Sequence, residues 1–204
     1  NKLRLFQGGL ALPSSPSFTV NMRAMTTFVA LLRGINVGGK NVLPMKDLKA
    51  MLTDLGAAGV RTYIQSGNAV FSAEADAAAG LGDRLADAIE AARGFRPQTL
   101  VLGAAELAAI ADANPFPEAT AEPKTLHFFV LERTPPAPDL DALRAIARDS
   151  ERFELIDRCF YLHAPDGIGR SKLAAKAEKA LGVPATARNR RTLSKILELA
   201  DDDD

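Results

Sequence analysis

Between Thr27 and Leu102 the hydrophobic pattern changes period several times, and the order of those changes restricts the chain to few folds. Thr27 to Arg33, with Phe-Val-Ala-Leu-Leu inside it, is a short apolar run of the kind that forms a buried strand. Pro44 stands where a first helical residue would, because its missing N–H costs nothing there. Leu48, Met51, Leu52 and Leu55 follow at helical spacing, and Gly56 closes the segment. Val60 to Gln65 alternates, Gly67-Asn68 is a two-residue hairpin signal, and Ala69 to Ser72 returns as the partner strand. Leu81, Leu85, Ile89 and Ala92 share one face of a second helix that stops at Gly94, and Arg96 to Leu102 is another strand. The order β-α-β-β-α-β is that of the ferredoxin-like split unit. A short helix over Ala104 to Ala113 then ends at Asn114-Pro115-Phe116-Pro117.

Beyond that break the pattern starts again. Thr125 to Glu132 is a strand, Leu140, Leu143 and Ile146 mark a helix, and Phe153 to Asp157 with Cys159 to His163 suits a hairpin. Helices are expected over Arg170 to Leu181, ended by Gly182 and Pro184, and over Thr192 to Ala200. This half therefore reads β-α-β-β-α-α, a partial echo of the first without a sequence repeat strong enough to call a duplication. The fold class is α+β with mainly antiparallel sheets. One subdomain spans residues 25–117 and a second, with two C-terminal helices, spans 118–200. Residues 1–24, broken by Gly8-Gly9 and Pro13-Ser14-Ser15-Pro16, read as a flexible extension foreign to the rest, and 201–204 as an acidic tail.

Composition bears on partners. The chain has 25 Lys/Arg against 25 Asp/Glu, so as a whole it has no pull toward nucleic acid or a membrane surface. The balance is local, however. Asp166 to Leu199 holds eight Lys/Arg and three acids, and the remainder is correspondingly acidic. A single cysteine, Cys159, excludes an internal disulfide and fits a reducing, cytoplasmic setting. No run approaches the ~20 apolar residues of a membrane span.

The residues that could carry chemistry fall in three places. Gly34-Ile-Asn-Val-Gly-Gly39-Lys40 has the spacing of a phosphate-binding loop, but Asn41 stands where Ser or Thr should hold magnesium. Pro44 also starts the helix about a turn late, and no Walker-B strand follows. Two readings remain: a bend that exploits glycine's positive φ, or an anion-accepting nest of N–H groups over Gly34, Asn36, Gly38 and Gly39, with Arg33 and Lys40 adding charge. Tyr63-Ile-Gln-Ser-Gly-Asn68 is either ordinary turn chemistry or a hydrogen-bonding rim in which Gln65, Ser66 and Asn68 stand beside the glycine bend. Arg170, Ser171 and Lys172 open one helix, and Arg188 and Asn189 precede the last. The cations there form either a solvated basic face or a site for phosphate or carboxylate at two helix starts.

Other chemistry finds little support. Cys159 and His163 lie four residues apart, about 13 Å along a strand, too far for a thiolate–imidazolium pair. The two histidines and one cysteine give no metal spacing, and no serine-nucleophile motif is present. No metal or other cofactor is expected.

In this order, Leu32-Arg-Gly-Ile-Asn-Val-Gly-Gly39, Tyr63-Ile-Gln-Ser-Gly-Asn68, Asn114-Pro-Phe116, Gly169-Arg-Ser-Lys172 and Arg188-Asn189 resemble an uncharacterised bacterial family, domain-of-unknown-function family 1697. The resemblance covers about Thr26 to Ala200. It implies an α+β protein of two small ferredoxin-like subdomains and brings no established activity. The family pattern tends to place Trp after the Arg-Asn pair, where this chain has Arg190. The expectation is a module that binds an anionic small molecule or nucleic acid between the glycine bend and the basic helix starts. The alternatives are an enzyme acting on a small anionic substrate in that cleft, or a purely structural protein.

Overall fold

The computed structural model describes residues 25–202; the expected N-terminal extension and Asp203-Asp204 lie outside them. Two four-stranded antiparallel sheets form the frame, and helices cover their faces. The first half runs β1 (Met25–Leu32), α1 (Met45–Asp54), β2 (Ala58–Tyr63), β3 (Asn68–Glu74), a one-turn α2 (Ala75–Ala78), α3 (Leu81–Arg93), β4 (Thr99–Gly103) and α4 (Ala104–Asp112). The second runs β5 (Leu126–Leu131), α5 (Leu140–Arg144), β6 (Arg152–Ile156), β7 (Cys159–His163), α6 (Lys172–Leu181), β8 (Ala185–Asn189) and α7 (Arg190–Asp201). Strand order is β2-β3-β1-β4 in one sheet and β6-β7-β5-β8 in the other. The two halves thus repeat one topology, each closed by a helix after its last strand.

That repeat is fuller than the sequence pattern suggests, because β8 was not expected. Its run, Ala185-Thr-Ala-Arg-Asn189, has small side chains followed by charge and gives neither an apolar run nor an alternation. It forms because β5, apolar on both faces, offers it an edge in the register Phe128↔Arg188 and Val130↔Thr186. The β2–β3 turn also differs from the expected Gly67-Asn68 pair. Asn68 is already in the ladder opposite Tyr63, so the turn is Ile64 to Gly67. At the C-terminus, α7 includes Asp201, the first residue of the expected acidic tail.

Alternation in the strands sorts side chains into three clusters. Ala30 and Leu32 of β1 pack with Leu48 and Leu52 of α1 and Leu85 and Ile89 of α3. Leu131 of β5, Phe160 and Leu162 pack with Leu143 of α5 and Leu173 and Leu181 of α6. The opposite faces meet in a shared core. Val29, Leu31, Val70 and Leu102 from the first sheet join Leu126, Phe128, Val130 and Tyr161 from the second, around Leu107 and Ile110 of α4 and Leu193 and Ile196 of α7. At ~1.5–3 kcal/mol for each large apolar side chain removed from water, this central layer is a principal bond between the halves.

The helices in that layer touch both halves. α4 lies against Ile156 and Tyr161 of the second sheet, and the Tyr161 hydroxyl donates to the Ile110 carbonyl at 2.8 Å. α7 packs against β2 and β3 of the first sheet.

Candidate functional site

Where β1 ends, the chain makes a compact loop whose shape is set by two asparagines. Val37 and Lys40 form a bridge, and Gly38 and Gly39 between them have φ of 58° and 74°. This is a two-residue turn of the type that demands left-handed backbone at both positions, which glycine supplies without strain. The Asn36 carboxamide ties the loop down. Its Nδ2 donates to the carbonyls of Leu43 (2.9 Å) and Gln65 (2.8 Å), while its Oδ1 accepts from the Leu43 amide (2.9 Å). Asn41 Nδ2 donates to Gly34 O at 3.0 Å. The glycine loop and the hairpin tip therefore lie at the same end of the first sheet.

The hairpin tip is tightly wedged. Leu32 N–H donates to Gly67 O at 2.8 Å, and a Cβ at Gly67 would stand 2.7 Å from the Leu32 Cβ and 2.8 Å from the Ile35 Cδ1. Ile64 holds φ at 47°, a region that a β-branched residue resists at a cost of ~1–3 kcal/mol. Asn68 is buried; its Nδ2 donates to Tyr63 O and Ser66 Oγ.

Into this knot reaches Arg188 from the other half. Its Nε donates to Asn68 Oδ1 at 2.5 Å, and its Nη2 donates to the carbonyls of Leu32 (2.7 Å), Ser66 (3.1 Å) and Gly67 (3.3 Å). Its Nη1 donates to Ala187 O at 2.8 Å. Every acceptor is neutral. Burial pushes this guanidinium down to about 10, still far above neutral pH, so a full positive charge stands here with no carboxylate partner among the described residues.

The other expected site residues divide clearly. Arg33 ion-pairs with Glu178 of α6 and donates to Gln98 Oε1 at 3.1 Å, so its charge is neutralised. Ser171 caps α6 by accepting from Ala174 N–H (3.0 Å), and the Arg170 carbonyl accepts from the Arg148 guanidinium. Those residues and Lys172 open α6, about 9 Å along its axis from the turn that meets Arg33. Asn189 caps α7 through Thr192 N–H (2.9 Å). Lys40 and the Gln65 side chain are exposed, with no partner among the described residues. Arg190 and Arg191, which begin α7 after Arg188 and its neighbour Asn189, were not among the expected site residues. The cationic run Arg188 to Arg191 is the signal that could have extended the set to them.

The internal repeat supplies a built-in comparison. At the matching place in the second half, Leu131 N–H donates to Arg158 O at 2.9 Å, as Leu32 does to Gly67 O. There the turn is short, the following loop is proline-rich, and the Arg158 guanidinium pairs with Glu106 of α4 at 2.6 Å. One junction between the halves is electrically closed; the other carries an unbalanced cation beside an elaborated loop.

Elsewhere the chemistry is quiet. A cleft of about 600 Å³ lies between the start of α3, β4 and the end of β5, and its Arg96 is held by Asp83 and Asp87. Burial pushes the Cys159 thiol up to about 12 and the His127 imidazole down to about 4, so at neutral pH both are uncharged core groups. Among the described residues no cluster of His, Cys, Asp and Glu could hold a metal, and no helix is long and apolar enough to cross a membrane.

A two-sheet α+β protein with an asparagine-tied glycine loop and an arginine bridging its halves is the class that fold and site define. The chain belongs to the family described as "Protein of unknown function (DUF1697)", which it matches over residues 25–161. The glycine loop, the hairpin tip and Asn114-Pro115-Phe116 fall inside that stretch; Arg170 and Arg188 lie beyond it. Among solved structures, the chain is similar to the conserved bacterial protein SP0830 from Streptococcus pneumoniae. The identity is 27% and the TM-score 0.60, with 87% of this chain and 99% of that one covered. No curated protein matches it.

Proposed function

We propose that this protein is a binding module for a phosphate-bearing ligand, a nucleotide or a nucleic-acid backbone, held at the corner of the glycine loop, the hairpin tip and the start of α7. The observation that carries this reading is the uncompensated charge of Arg188, set among neutral acceptors, whereas Arg158, at the other junction between the halves, has Glu106. Lys40 on the glycine loop, and Arg190 and Arg191 in the first turn of the helix that follows Arg188, have no carboxylate partner among the described residues and add positive charge in a chain of zero net charge. The loop amides of Gly38 and Gly39 and the Gln65 carboxamide add donors. A ferredoxin-like description of each half is favoured by the strand orders, and a cytoplasmic location by the lone buried thiol. A second reading, in which Arg188 only fastens the halves, is favoured by the number of carbonyls it already satisfies.

Calorimetric titration with pyrophosphate and ATP at low salt separates the two. The binding reading expects saturable binding, weakened about tenfold by Lys40→Ala or Arg191→Ala and fading as salt rises. Absence of binding to any phosphate-bearing probe leaves only the fastening role.

A further inference from the structure

We propose that the occupant of this corner is single-stranded nucleic acid, with an unstacked base against Val37, Val42 and Ile64 and the neighbouring phosphates against Lys40 and the first turn of α7. This rests on the phosphate-binding reading above and narrows it. Four large apolar side chains are strongly exposed among the described residues: Val37 (66%), Val42 (55%), Met25 (52%) and Ile64 (50%). Three of them are chain neighbours of residues tied together by one carboxamide. Val37 follows Asn36, Val42 precedes Leu43, and Ile64 precedes Gln65, and the Asn36 side chain bonds both Leu43 and Gln65. Exposed aliphatic groups carried on two loops that are tied together mark a contact surface. Ile64 strengthens the point, since its left-handed backbone suits glycine or asparagine and folding alone gives no reason for a β-branched residue.

The chemistry of the partner follows from what remains unused. The Asn36 and Asn68 carboxamides are taken up by the protein's own groups, and Asn41 Nδ2 donates to Gly34 O. Gln65, beside Ile64, keeps a free donor and acceptor in one plane, which matches the edge of a base. Lys40, Arg190 and Arg191 match phosphates. An unstacked nucleotide presents an apolar face, a hydrogen-bonding edge and an anion together. A duplex hides the face within its stack. An acidic peptide would meet the cations and aliphatics but offers Gln65 no planar edge to read.

Fluorescence anisotropy would test this with a labelled 12-nucleotide uridine strand, the same strand in a duplex, a 12-residue polyglutamate peptide, and ATP as competitor. Single strand is expected to bind at least tenfold tighter than duplex. Ile64→Gly should weaken single-strand binding at least fivefold without lowering the melting temperature, because glycine accepts φ near 47°. Lys40→Ala should flatten the dependence of log affinity on log salt by about 0.7, one phosphate contact on a single strand. Equal binding of single strand and duplex, wild-type binding by Ile64→Gly, or preference for polyglutamate would each overturn the proposal. Binding of ATP and duplex without single-strand preference would sink this inference alone. Failure of every phosphate-bearing probe would remove the reading beneath it as well.

Discussion

Arg188 and Asn68, 120 residues apart in the chain, meet at 2.5 Å, and the guanidinium that makes this contact also caps three carbonyls at the end of β1 and the β2–β3 turn. One side chain thus closes the seam between the two sheets and sets the charge of the corner beside it.

Removing that side chain should be costly. Arg188→Ala leaves the Leu32, Ser66 and Gly67 carbonyls and Asn68 Oδ1 without their donor. An unsatisfied buried group costs ~1–3 kcal/mol, so a loss of about 3–5 kcal/mol in urea denaturation is expected. Arg188→Lys should recover less than half of it, because an ammonium cannot spread its donors as the planar fork does. A full rescue by lysine would mean that charge alone matters here.

Gly67→Ala is expected to destabilise by about 3 kcal/mol. The added methyl meets the Leu32 Cβ at 2.7 Å, an atom fixed to the strand, and the backbone sits at φ +76°. Gly38→Ala makes a useful contrast. It has open space around its Cβ position, so only the left-handed strain, ~1 kcal/mol, should register. Similar midpoints for the two variants would show that the wedge at Gly67 relaxes.

Acid stability should hinge on His127. Burial holds its folded pKa at about 4 against an ordinary 6.5, although a hydrogen bond with the Lys124 backbone opposes the shift. The unfolded chain therefore binds a proton that the folded one refuses across that window. Stability is complete above about pH 6.5 and drains away as pH falls toward 4, by about 2–3 kcal/mol between pH 7.5 and 4.5. His127→Leu should abolish most of that slope. A wild-type slope in the variant would assign the acid sensitivity to other groups.

Much of the scaffold was legible because its signals are local. A continuous apolar run gave β1, strand-like runs gave β5 and β7, and Gly94 and Gly182 end α3 and α6 as their positions suggest. β8 was hidden because its stability comes from the edge that β5 offers and not from its own composition. The glycine loop and the Tyr63–Asn68 tip were visible as motifs, yet their union through Asn36 is a tertiary fact that spacing cannot encode. Arg188 was read as part of a basic stretch before a helix; its inward course follows from the strand that carries it. The same holds for Arg33, whose charge is spent on Glu178, a partner 145 residues away.

The seating of α4 and α7 between the sheets carries a consequence for how the molecule could come apart. Both are held between the sheets like a shared lining, each touching its own half and the other. Cleavage in the linker between Ala113 and Thr125 would therefore yield two pieces that each expose an oily face shaped for the other. Such fragments should find one another again in solution more readily than either could persist alone.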